Sequence, residues 1–198
     1  MKNGIFSLLL VCAATVAPTF APAADVSSGS ASPKAARSSN SVASASSRGM
    51  TASDLSFMNE AAPGGLTEVE LGKLAVKRAS NADVKKFAQR MIDEHSQANR
   101  ELDELAAQKN VTLKKEKTPE QQAAIDKLSK LNGDAFDREY AKDMLKDHEK
   151  DVAKFEAAAD EASDPDVKTY AEMTLPTLRG HLDMARKLQQ AEARTSSR

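Results

Sequence analysis

Residues Ala82–Gln108 read ADVKKFAQRMIDEHSQANRELDELAAQ, and this stretch decides the fold. As a helix, its inward positions are Val84, Ala88, Met91, His95, Ala98, Leu102 and Leu105. The steps alternate four and three, the spacing of an apolar seam that faces other helices. Lys85, Lys86, Arg90, Asp93, Glu94, Arg100 and Glu101 fill the outer faces. One inward position breaks the apolar rule: His95, at mid-helix, where Leu or Ile is expected.

Working outward, the same pattern recurs. From Ala135 to about Ala159 the inward set is Ala141, Leu145, His148, Val152, Phe155 and Ala159, with Tyr140 and Met144 beside it. Asp164-Pro165 opens a last helix, with Pro at its first position. Its inward set is Val167, Ala171, Thr174, Leu178, His181, Ala185 and Leu188, and Pro176 should bend it. Before Ala82, an apolar face at Phe57, Met58, Ala61 and Ala62 meets Pro63-Gly64-Gly65, which predicts a kink or break. Ser53-Asp54 is a plausible cap, and Thr67 to Glu70 reads as a second start with a capping box. Glu68 then falls on the inward side and Glu70 on the outward side. Ser80-Asn81 predicts a tight turn. Thr118-Pro119-Glu120-Gln121 starts a short helix to Leu131, Asn132-Gly133 breaks it, and Asp134 can cap the next.

Four amphipathic helices without a strand signal predict an all-α, antiparallel four-helix bundle over residues 51–193. The short extra helix lies in the connection between the second and third long helices. No period of twenty to fifty residues repeats, which argues against a solenoid.

The remaining chain reads differently. Lys2, the apolar run Ile5 to Val16 and Ala21-Pro22-Ala23 have the layout of a secretory signal peptide over residues 1–24. The run is too short for a membrane anchor, so no transmembrane segment is expected in the mature chain. Val11 before Cys12 argues against lipid attachment. Cleavage then leaves no cysteine, which removes disulfides and thiolate ligands. Residues 25–50 are rich in Ser and Ala and form a flexible linker, and residues 194–198 form a polar tail. The protein is expected to be periplasmic or secreted. A formal net charge of -1 gives no case for nucleic acid as a partner.

The chain has three histidines, and all three take seam positions. Glu68 lies about eleven residues before the Ser80-Asn81 turn, roughly 16 Å along the axis, and His95 about fourteen after it, roughly 21 Å. His148 and His181 are also near mid-helix. Glu68, His95, His148 and His181 can therefore share one layer, with Asp147 and Asp151 as possible additions. Three imidazoles and a carboxylate suit Fe, Zn, Mn or Cu. Met91, Met144 and Met184 each lie about one turn from a histidine, and thioether with imidazole suits Cu(I). The alternative is a hydrogen-bonded polar layer, with Met as ordinary core filling. No Gly-rich phosphate loop and no convincing nucleophile is present, so no catalytic residue is assigned.

Together, Asp54-Leu55-Ser56-Phe57, the run from Gly65 to Ala75, Phe87 to His95, Phe136 to Tyr140 leading to His148, and Leu175-Pro176 leading to His181 resemble the bacterial exported domain-of-unknown-function-4142 family. The resemblance covers Ser53 to about Ala191. It implies a ferritin-like four-helix bundle behind a signal peptide, sometimes associated with the outer membrane, and no established activity. Ferritin-like di-iron enzymes carry Glu-x-x-His on two helices. Here Ile92, Leu145 and Leu178 stand three residues before the histidines, which speaks against ferroxidase or oxygenase chemistry. Two readings stay open: a metal-binding bundle, or a non-catalytic cell-envelope or stress-related interaction module.

Overall fold

The computed structural model describes residues 49–196, and all regular structure among them is helical. The helices are α1 (Ala52–Arg78), α2 (Ala82–Gln108), α3 (Pro119–Leu128), α4 (Gly133–Glu161) and α5 (Pro165–Ser196). The stretches expected to be a signal peptide and most of a linker lie outside the described residues. The tail expected from Arg194 is helical as far as Ser196.

α1 packs on α2 and α4 on α5, while α2 also meets α5 and α1 meets α4. The ends show the directions. The N-terminal part of α1 meets the α4–α5 turn, where Ser163 and Asp164 donate backbone N–H groups to Asp54 at 3.0 and 3.3 Å. At the far end, Ser80 and Asn81 donate theirs to Asp137 near the start of α4, at 3.1 and 2.8 Å. Adjacent long helices are thus all antiparallel. α2 and α4 run the same way, so the segment carrying α3 must travel the length of the bundle. This is the expected four-helix bundle with one crossing.

Local signals differ from expectation at three starts. α1 runs unbroken through Pro63. Its cap is Thr51, whose hydroxyl accepts from the Asp54 N–H while Asp54 accepts from the Thr51 N–H at 2.9 Å. The capping box assigned to Thr67 and Glu70 is absent: the Thr67 hydroxyl donates to the Pro63 carbonyl at 2.7 Å, and Glu70 pairs with Lys117 at 2.9 Å. Tertiary packing outweighs the roughly 3 kcal/mol that a proline costs inside a helix. α3 ends at Leu128 rather than Leu131. Asp134 caps nothing, and accepts instead from the Ser80 hydroxyl at 2.7 Å. Thr118 caps α3 as expected, with Pro119 in its first turn, and Asn81 in the expected turn also caps α2.

The core comes in two apolar clusters. One is built on Phe57, Leu102, Phe155, Tyr170 and Leu178, the other on Leu71, Val84, Phe87, Phe136, Tyr140 and Ala185. Between them, on all four long helices, the apolar seam is interrupted by Glu68, His95, His148 and His181. Each of these is at most 5% exposed.

Candidate metal centre

Each of the four side chains comes from a different long helix, and the seam turns all four inward. The three imidazoles form a triangle. Ring centroids lie 5.7 Å apart for His95 and His148, 5.1 Å for His95 and His181, and 5.3 Å for His148 and His181. One ring nitrogen from each lies within 4.8 Å of the others.

On each ring one nitrogen is held and the other is bare. The His148 Nδ1–H donates to the Met144 carbonyl at 2.9 Å. His95 Nδ1 stands 2.9 Å from Glu68 Oε2. His181 Nε2 stands 2.5 Å from Glu94 Oε2, and Arg90 Nε holds Glu94 at 3.0 Å. This leaves His95 Nε2, His148 Nε2 and His181 Nδ1 buried with no hydrogen-bond partner, and Glu68 Oε1 is in the same condition. Buried polar atoms without partners are uncommon, because each forfeits its hydration. Four in one layer form a set of lone pairs that could hold a metal ion.

The electrostatics agree for the imidazoles. Burial pushes all three imidazoles down to about 4, so they are neutral at physiological pH and keep a free lone pair. Burial pushes the Glu68 carboxyl up to about 8, against the pull of His148. Asp147 and Asp151 are raised as well, again chiefly by burial.

These atoms fit a metal. Glu68 Oε1 lies 3.5 Å from His148 Nε2. Ligand atoms about 2.0–2.1 Å from a tetrahedral ion stand about 3.4 Å apart, so this pair already spans one edge of such a site. A held nitrogen on each ring fixes the tautomer and aims the other, which is how carboxylates and carbonyls support metal-bound histidines.

Sequence reasoning missed Glu94. It is half-buried, next to His95, on a face that reads as solvated, and its contact with His181 depends on how α2 meets α5. It also left Asp147 and Asp151 as additions, whereas Glu68, Asp147 and Asp151 form a second group with one oxygen each within 4.8 Å.

The family described as "Domain of unknown function (DUF4142)" matches residues 39–188. The chain belongs to that family. A search of the curated proteins finds no match to this DUF4142 chain. Among solved structures it is similar to a DUF305 fragment from Deinococcus radiodurans, at 18% identity and a TM-score of 0.63. That match covers 73% of this chain and 98% of the fragment. It is also similar to CopM in its Cu(II)-bound form, at 16% identity and a TM-score of 0.60, covering 70% of this chain and 96% of CopM. The Cu(I)-bound form of CopM matches at 17% identity with a TM-score of 0.59. These likenesses establish the helical-bundle fold. No helix among the described residues is long and apolar enough to cross a membrane.

Proposed function

We propose that this DUF4142 protein is an exported metal-binding bundle that holds one transition-metal ion, copper first, on His95, His148, His181 and Glu68. The observation that carries the reading is the set of four buried, partnerless donor atoms in one layer. Three neutral imidazoles favour copper and zinc over iron and manganese, which take more oxygen and higher coordination. Copper stands above zinc in affinity for nitrogen donors. The copper-bound forms of CopM, a bundle of similar fold, support the same choice. Glu68 would serve twice, closing the coordination through Oε1 and holding His95 through Oε2. With Cu(I), the single carboxylate charge makes the site neutral, which suits a buried layer. A binding or buffering role in the cell envelope follows, with no turnover assigned.

The test is elemental analysis of the untagged mature protein from periplasm, beside a His95→Ala, His148→Ala double variant. The expected result is near-stoichiometric metal in the wild type and none in the variant. Absence of metal in the wild type after incubation with Cu, Zn or Fe overturns the reading and leaves a structural polar layer.

A further inference from the structure

The layer holds more carboxylate than one ion on three imidazoles can use. Asp147 and Asp151 sit one turn apart on α4, on either side of His148, and face Glu68 of α1. One oxygen from each of the three lies within 4.8 Å of the others. Like charges four residues apart on a helix repel, and burial strengthens the repulsion. The compensation in place is loose. Lys154 Nζ stands 3.8 Å from Asp151 Oδ1 and is shared with Glu60 Oε2 at 3.4 Å. Lys150 and Lys154 act on Asp147 only through space. Glu68, 1% exposed, presents an Oε1 that no donor reaches.

Space and access are both present. A cavity of about 20 Å³ is lined by Glu68, Asp151, His95 and Asn99. That is room for roughly one water or one ion. Asp147 lines an open groove of about 370 Å³ beside α3, together with Thr67, Glu120, Lys127 and Asp143. Glu68 and Asp151 thus line the inner cavity, and Asp147 lines the outer groove.

We infer that Glu68, Asp147 and Asp151 form a second cation site, for a hard divalent ion, next to the imidazole site and sharing the Glu68 carboxylate with it. All-oxygen donors select Mg²⁺, Ca²⁺ or Mn²⁺ rather than copper, so the two sites differ in chemistry. The inference deepens the reading above and rests on it only through Glu68.

The probe is Mn²⁺, whose free aquo ion is counted by electron paramagnetic resonance, titrated into the full mature chain preloaded with Zn²⁺. Zinc is silent in that measurement and is counted separately by elemental analysis. The expected result is one Mn²⁺ bound beside one Zn²⁺. Asp147→Asn with Asp151→Asn should weaken Mn²⁺ at least tenfold and leave the zinc content unchanged. These near-isosteric changes remove buried charge, and circular dichroism checks that the variant is folded. A zinc-loaded wild type that takes up no Mn²⁺ overturns the second site and leaves the first intact. Mn²⁺ that binds equally well to the double Asn variant also overturns it, since the ion then sits elsewhere. A chain that takes up no zinc, and no copper in a parallel incubation, overturns the imidazole site instead, and Mn²⁺ uptake by that chain is then read on its own.

Discussion

Glu94 is the residue whose effect separates a metal site from a packed polar layer. Its carboxylate holds the Nε2 edge of His181 and is itself held by Arg90, so the bare Nδ1 is aimed inward. Glu94→Gln keeps the shape and an acceptor but loses the charge. Changes to such supporting carboxylates cost roughly 10–100-fold in metal affinity. Competition against a copper chelator should show a loss in that range, with the melting temperature of the metal-free form little changed. The buried titrating groups give a second residue-level expectation for the metal-free chain. Each histidine, lowered from 6.5 to about 4, contributes stability that is complete above 6.5 and is lost as pH falls through 4. Glu68, raised from 4.5 to about 8, acts the other way, contributing stability that is complete below 4.5 and lost as pH rises through 8. Between 6.5 and 8 the histidines no longer exchange protons, so stability should fall with rising pH. Urea midpoints measured with chelator present should show that decline, and Glu68→Gln should reduce it. His95, His148, His181 and Glu68 were legible in the sequence because a polar residue at a seam position is conspicuous. Glu94 was not, because a charged residue on an outer face carries no mark of the partner that a neighbouring helix brings to it.

Helix pairing explains where small residues are required. Building a Cβ on Gly72 of α1 would put it 2.9 Å from Ile92 Cγ1 and 3.0 Å from the Ala88 carbonyl of α2. The carbonyl belongs to a helix backbone and cannot step aside. Gly64, on the same helix, has nothing within 4 Å of its Cβ position. The same substitution should therefore take opposite signs. Gly64→Ala gains helix propensity and should stabilise by roughly 0.5–1 kcal/mol. Gly72→Ala gains the same propensity but forces α1 away from α2, and should destabilise by roughly 1–3 kcal/mol. Chemical denaturation of the two variants checks both. The sequence placed the five helices and most of their inward faces, since the four-three alternation survives any local detail. Of the kink or break expected at Pro63-Gly64-Gly65, the break does not occur, although the stretch carries every local mark of one. The mark is local and the remedy is not: α1 is buried along both clusters, and Asn59, whose carbonyl loses its helical donor at Pro63, is itself a half-buried residue.

At the scale of the whole molecule, two aspartates tie the helical hairpins together. Asp54, on α1, accepts from the backbone of the α4–α5 turn. Asp137, on α4, accepts from the backbone and hydroxyl of the α1–α2 turn. Each hairpin thus supplies the side chain that caps the other's turn, one at each end of the bundle. Asp54 is 2% exposed and Asp137 1%, so water cannot take their place cheaply. Burial opposes the charge on Asp54, but bonds from Thr51, Ser163 and Asp164 prevail and hold its carboxyl below the ordinary value. The sequence marks Asp54 only as a local cap and gives no sign of either clasp, because the turn groups that these two hold are more than fifty residues away. Hydrogen bonds to a charged group contribute roughly 1.5–3 kcal/mol each, and stranded buried N–H groups add their own penalty. Asp54→Ala and Asp137→Ala should each cost about 2–4 kcal/mol in urea denaturation. The two clasps lie at opposite ends and share no partner, so the double variant should be additive within about 0.5 kcal/mol. A marked shortfall from additivity would mean that losing one clasp already releases the hairpins from each other. In that case the polar layer at mid-height would no longer be held by four helices at once, and the metal content of the single variants should fall as well.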